Sequence, residues 1–227
     1  MSKVFIPANK PEDWASFLAD PKHWKTGYSA KTLAYAWHET DDFPPNVKQA
    51  FKQSNSDIFR NIEMLFAIPE YKVRLPGGRR PSQNDIFVIA KGNNQLVGIM
   101  VEGKVSEDFD KTIAEWKTER DIKTNKEKRL HYLLQELSLK EVPDNSRYQL
   151  LHRTASAIIE ARRFNARNAL MLIHSFSQTY EHFEDYNQFL TLFGLIGKKD
   201  ALVGPISIKG ISLYFGWVKG DSKFLAK

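Results

Sequence analysis

Two runs of β-prone apolar residues, Ile86-Phe87-Val88-Ile89-Ala90 and Leu96-Val97-Gly98-Ile99-Met100-Val101, lie only five residues apart, around Gly92-Asn93-Asn94. Continuous rather than alternating apolarity marks strands buried on both faces, and so a sheet covered by helices on each side. The short polar connection makes the two runs neighbours in a hairpin. If Asn93 and Asn94 are the central turn residues, Asp85 falls directly opposite Glu102; a turn centred on Gly92-Asn93 is equally credible and moves the register by two residues.

The rest of the chain is read around this hairpin. Pro11, Glu12 and Asp13 suit a first helical turn, and Ser29 suits the cap of a second short helix carrying Leu33 and Trp37 four residues apart. After Pro44-Pro45, the spacing of Val47, Phe51, Ile58, Ile62 and Phe66 predicts one or two helices ending before Pro69. Tyr71 to Leu75 alternates apolar with basic, as a half-exposed strand does, until Pro76-Gly77-Gly78 turns it. Downstream, Phe109, Ile113 and Trp116 form one helical stripe, and Leu130, Leu133, Leu134 and Leu137 another. A longer helix is expected over about 146–164, a buried strand over 168–176, a helix carrying Phe183, Tyr186, Phe189 and Phe193, and a closing strand over 211–218. The order predicts an α/β fold with a mixed central β-sheet flanked by helices. Its 227 residues suit a single domain, 1–227, with 1–44 as a helical lead-in and 45–218 as the core.

Fifteen Phe, eight Tyr and five Trp supply the buried area that a modest apolar share of 42% leaves short. Trp116, Tyr214 and Trp217 are assigned to that core. A net charge of +6 favours an acidic partner such as nucleic acid. The absence of Cys excludes disulfides and thiolate metal sites, so a metal would need oxygen or imidazole ligands. No secretion leader and no stretch approaching a membrane span is evident, which leads to the expectation of a soluble, cytoplasmic protein without a membrane partner.

The chemistry concentrates on three charges placed where charge is unfavourable. Asp85 opens one buried strand, and Glu102 and Lys104, two residues apart, end the next on one face. Facing carboxylates at the ends of buried strands repel, and a divalent cation relieves the repulsion. Oxygen ligands at this density suit Mg²⁺ or Mn²⁺. Lys104 cannot ligate while protonated, but it can position or deprotonate an attacking water and stabilise charge at phosphorus.

Asp85, sixteen intervening residues and then Glu102-Gly103-Lys104 resembles the motif of the PD-(D/E)xK, restriction-endonuclease-like nuclease superfamily, in which the Asp begins one strand and E-x-K lies on its hairpin partner. Asn84 stands in place of the motif's proline. The flanking segments 78–85 and 101–105, with Phe109 and Trp116, and the helix segment 147–154 are similar to an uncharacterised bacterial and phage branch. The resemblance covers roughly 45 to 218. It implies a restriction-endonuclease-like fold and Mg²⁺- or Mn²⁺-dependent hydrolysis of nucleic acid, DNA by family analogy. Asp85, Glu102 and Lys104 would be catalytic, and Asp85 and Glu102 the metal ligands. The helix before the sheet often adds an acid in this superfamily, and Glu63 is the candidate here. Gln149 and Arg153, one turn apart, would support the site or the phosphate, although an ordinary solvated helix face explains them as well. Arg79 and Arg80 would contact phosphates, or belong to a solvated loop. His152 and His174 lack partners at metal-ligand spacing and read as hydrogen-bonded structural residues. The mixed-charge segment Lys117 to Arg129 reads as an exposed connection. The alternative function is a non-catalytic nucleic-acid-binding or interaction module on the same fold, and homodimerisation is left open.

Overall fold

A computed structural model describes residues 3–4, 8–118 and 123–227. Two short 3-10 helices, Pro11–Phe17 and Pro21–His23, lead into α1 (Ser29–His38), α2 (Pro45–Lys52) and α3 (Asp57–Arg60). Strands β1 (Glu63–Val73), β2 (Ser82–Gly92) and β3 (Gln95–Lys104) follow as an antiparallel meander. Helices α4 (Ile113–Thr118), α5 (Lys123–Glu136) and α6 (Tyr148–Arg163) then cross to β4 (Asn168–Ser175). The chain closes with α7 (Phe183–Thr191), β5 (Ala201–Ile208), β6 (Ile211–Lys219) and a 3-10 turn at Ser222–Ala226. The six strands form one mixed sheet in the order β1-β2-β3-β4-β6-β5, with β3, β4 and β6 parallel.

The two apolar runs are central strands, as their composition predicts: Ile86, Phe87, Val88 and Ala90, and Val97, Ile99, Met100 and Val101, are fully excluded from solvent. Their alternate faces feed separate cores. Phe87, Ile89 and Met100 pack with α5, α6 and α7. Ile86, Val88, Ile99 and Val101 pack with Leu33, Trp37, Phe43, Phe51 and Phe59. The described residues up to Arg60 therefore build one of the two layers that cover the sheet. No helix among the described residues is long and apolar enough to cross a membrane.

Three local expectations are corrected. The helix expected through Ile62 and Phe66 stops at Arg60, and Glu63 already opens β1, which runs through Pro69. A contiguous apolar run, Met64 to Ile68, satisfies helix and strand spacing alike, and pairing with β2 decides the outcome. Pro69 is tolerated because β1 is an outer strand, where a missing N–H breaks no ladder bond. Strand β5 has no counterpart in the sequence reading; it is the other outer strand, interrupted by Gly204-Pro205 and irregular between Val203 and Ile206. Ser29 begins α1 without capping it, its N–H going instead to Glu107 at 2.8 Å.

Candidate functional site

The β2–β3 register places the acids. Gly92 pairs with Gln95 and Ile86 with Val101 without a shift, so Asn93 and Asn94 are the turn residues, with φ of 45° and 58°. Two successive left-handed residues make the hairpin turn that matches strand twist, and Asn adopts this conformation more readily than most residues. One step past the last pair, Asp85 stands opposite Glu102.

A third acid completes the row. The flanking pairs Pro69–Ile86 and Tyr71–Asn84 put Glu70 of β1 opposite Asp85. Glu70 has a left-handed φ of 52°, uncommon for a residue with a side chain. The face of β1 changes there: Ala67 belongs to the core under α1 and α2, whereas Tyr71 and Val73, at even spacing from it, pack toward α6. An uninterrupted strand keeps such residues on one face. Glu70, Asp85 and Glu102 thus lie on three adjacent strands.

Helix α6 roofs this row. Gly98 of β3 allows the close approach, since a Cβ there would lie 3.2 Å from the Cα of Ala161. With α6 seated, Gln149 and Arg153 reach Glu102. Gln149 Nε2 donates to Glu102 Oε1 at 2.6 Å, and Arg153 Nε donates to Oε2 at 2.5 Å. Arg153 also lies 3.9 Å from Asp85 Oδ1 and 3.3 Å from the hydroxyl of Ser82. Lys104 Nζ donates to the carbonyl of Asp108 and to Gln149 Oε1, each at 2.9 Å, and pairs with Glu102 Oε1 at 3.3 Å above the ring of Phe109. Glu102 and Lys104 keep 3% and 6% of their side-chain exposure but Asp85 keeps 22%, so of the facing pair Asp85 is the carboxylate that solvent reaches. Its Oδ2 accepts the N–H of Gly103 at 2.7 Å.

The electrostatics follow from three acids and two cations in one small volume. Burial, then repulsion from Glu102 and Glu70, raises Asp85 well above the ordinary carboxylate range against the opposing pull of Arg153. Burial likewise pushes Glu70 up to about 7, although a hydrogen bond from Gln83 at 2.6 Å and the nearby Arg153 favour its charged form. Burial opposes the charge on Arg153, but Glu102 and Asp85 outweigh it and hold the guanidinium protonated. His152 sits behind the site with Nδ1 2.8 Å from Ser82 Oγ, and burial plus the fields of Arg153, Arg129 and Lys104 keep it neutral. His174, on the other face of the sheet, accepts the indole N–H of Trp37 at 3.0 Å and is depressed by burial to about 3.

The structure therefore brings together Asp85, Glu102, Lys104, Gln149 and Arg153, and separates Glu63. Glu63 is exposed, pairs with Lys91 far along the hairpin and forms an ion pair with Lys3. The assignment of Glu63 rested on a helix that is a strand; Glu70 is the acid that reaches the site. Arg79 and Arg80 lie in the turn after β1, exposed, on the wall of a cleft beside Ser82. The mixed-charge connection is described only outside 119–122, and its Arg129 and Lys126 are buried rather than solvated.

Carboxylates alone suit a hard divalent ion in chemical type. Among the described residues no three His, Cys, Asp or Glu side chains are grouped closely enough to enclose a metal. Magnesium needs less, since it commonly binds through one or two carboxylates with water and phosphate completing its shell. Among the described residues nothing donates to Asp85 Oδ1 or to one oxygen of Glu70, whereas both oxygens of Glu102 are engaged.

The chain belongs to the family described as a domain of unknown function (DUF6946), whose model matches residues 7–222. No curated protein and no solved structure matches it.

Proposed function

We propose that this chain is a metal-dependent nuclease on a restriction-endonuclease-like fold, hydrolysing phosphodiester bonds of nucleic acid, with DNA favoured by analogy with the superfamily it resembles. The observation that carries the reading is the placement of Asp85 against Glu102 across a tight hairpin turn, with Lys104 two residues on and held beside Glu102. Asp85 and Glu102 would hold Mg²⁺ or Mn²⁺, Glu102 by exchanging its bond from Gln149 or Arg153 for the ion, while Glu70 takes the place of Glu63 as the neighbouring acid without being counted as a ligand. The ion would supply Lewis-acid activation of the phosphate and an acidified water. The chain's own groups do the rest. Gln149 and the Asp108 carbonyl fix the Lys104 ammonium, placing a positive charge where negative charge develops on the phosphoryl oxygens. Arg153 neutralises Glu102 and keeps its carboxylate in one orientation.

One feature favours a second reading, a nucleic-acid-binding module without turnover: a guanidinium already bridges toward both carboxylates. Incubation with plasmid, single-stranded DNA and RNA separates the two, in Mg²⁺, Mn²⁺ or EDTA, beside Asp85→Asn and Lys104→Ala. The nuclease cleaves only with the divalent ion and loses cleavage in both variants. Salt-sensitive binding with no cleavage under any condition supports the module, and cleavage that survives both substitutions removes the assignment.

A further inference from the structure

A cleft of about 740 Å³ opens between the turn after β1 and helices α4, α5 and α6. We propose that it binds the phosphodiester backbone of a nucleic-acid strand and leads that strand to the Asp85–Glu102 pair; its role, though not its binding, rests on the nuclease reading.

The turn is built rather than loose. Gly77 has a φ of 75°, and a Cβ there would lie 2.2 Å from the carbonyl oxygen of Asn125 and 2.7 Å from the amide of Arg129, so only glycine lets the turn sit this closely on α5. Arg129 keeps 8% of its exposure and donates to the carbonyls of Leu75, Pro76, Gly78 and Arg80. A buried guanidinium bonded to four backbone oxygens fixes the path of the turn. From this clamped turn Arg79 and Arg80 project, both exposed, with no ion-pair partner among the described residues. A solvated loop does not require such an anchor, and two adjacent unpaired arginines on a fixed backbone form a preorganised anion contact.

The lining chooses the occupant. Among the described residues the lining holds exposed Arg79, Arg80 and Lys111, the buried and carbonyl-bonded Lys126 and Arg129, and one acid, Asp110. Small-molecule sites are mostly apolar with a few polar groups, whereas a wall of cations suits a polyanion. None of the three acids is among the residues lining the cleft, but one lining residue adjoins their row. Ser82 lines it and contacts Arg153, which holds Glu102. Ser82 and Asp85 are three residues apart on β2, about 10 Å at ~3.3 Å per residue, so phosphates lying in the cleft bring a neighbouring phosphate to the site.

The test is fluorescence anisotropy with a labelled single-stranded oligonucleotide in EDTA, in the Asp85→Asn background so that turnover cannot intervene. Adding Arg79→Ala and Arg80→Ala together weakens binding about tenfold or more, and lowers the slope of log affinity against log salt by about 1.4, the value for two lost contacts to a single strand. Lys91→Ala, at the far end of β2, leaves both quantities unchanged. Unaltered affinity in the double variant overturns the proposal, as does tripolyphosphate competing as well as the oligonucleotide at equal phosphate concentration. Cleavage is followed separately on chains with Asp85 intact. If binding depends on the arginines but the wild type never cleaves in Mn²⁺, the nuclease reading fails and the cleft stands. If the double variant cleaves with unchanged KM, the cleft fails and the nuclease stands.

Discussion

Arg153→Met is the most informative single change, because it removes the cation that three acids share while keeping an unbranched apolar stem. In the wild type the guanidinium bonds Glu102 at 2.5 Å and lies 3.9 Å from Asp85. Removing one member of a buried pair costs about 3–5 kcal/mol, mostly through the charge left behind. Lys104, 3.3 Å from Glu102, remains as partial compensation, which places the loss near the lower end, about 3 kcal/mol. For a domain of this size each kcal/mol moves the melting temperature by about 2–4 °C, so the variant should melt about 6–12 °C below the wild type in EDTA at pH 8. The gap should depend on pH. Without Arg153 the carboxyls of Asp85 and Glu70, already raised in the folded state, rise further. The folded variant then binds more protons than its unfolded chain, and stability falls as pH rises through that window. At pH 5 the gap should shrink to half or less. Scanning calorimetry at the two pH values checks this; a loss under about 2 °C at pH 8, or a gap that ignores pH, refutes the claim that Arg153 is the chief counter-charge.

Glu70 should leave its own signature in the intact protein. Its folded value of about 7 lies above its ordinary 4.5, so in EDTA the wild-type melting temperature should fall between about pH 5 and 7.5, and Glu70→Gln should flatten that fall without lowering the acid plateau; an unchanged slope in denaturant titrations at several pH values counts against its place in the row. Gly103→Ala tests the middle residue of the E-x-K segment: a Cβ there meets Leu33 Cδ2 at 3.0 Å and Asp85 Oδ2 at 3.3 Å. Overpacking should cost about 1–3 kcal/mol, and displacing Asp85 should depress cleavage further than the stability loss explains, as nuclease assays well below the melting temperature would reveal.

What could be read from the sequence was the part fixed locally. Asn93-Asn94 sets the hairpin register, and that alone aligns Asp85 with Glu102. The spacing of Gln149 and Arg153 put them on one helix face, but only tertiary packing aims that face at Glu102. Glu70 was hidden by the helical reading of the preceding segment. Extending the Tyr71–Leu75 strand backwards over Pro69, as an outer strand permits, would have placed it opposite Asp85. Its left-handed backbone and the change of face there leave no mark in a residue pattern. Strand β5 escaped for a related reason, since Gly204-Pro205 reads as a breaker and only β6 supplies its ladder.

The site owes its geometry to a gradient of side-chain size along α6. At one end Ala157 and Ala161 are fully buried, and Gly98 beneath Ala161 lets the helix rest on β3 at backbone contact. At the other end Gln149 and Arg153 are long, polar and directed at the ends of β2 and β3. Close seating at the Ala161 end holds the helix against β3, and the long side chains at the other end reach Glu102. Charge then follows from position. Three carboxyls on adjacent strands meet two cations, so burial and the one uncompensated negative charge raise Asp85 and Glu70 while Arg153 stays charged. A cluster whose buried acid is matched by fixed cations and whose outer acids bind protons more readily can accept another positive charge first at Asp85, with proton release as the ion binds.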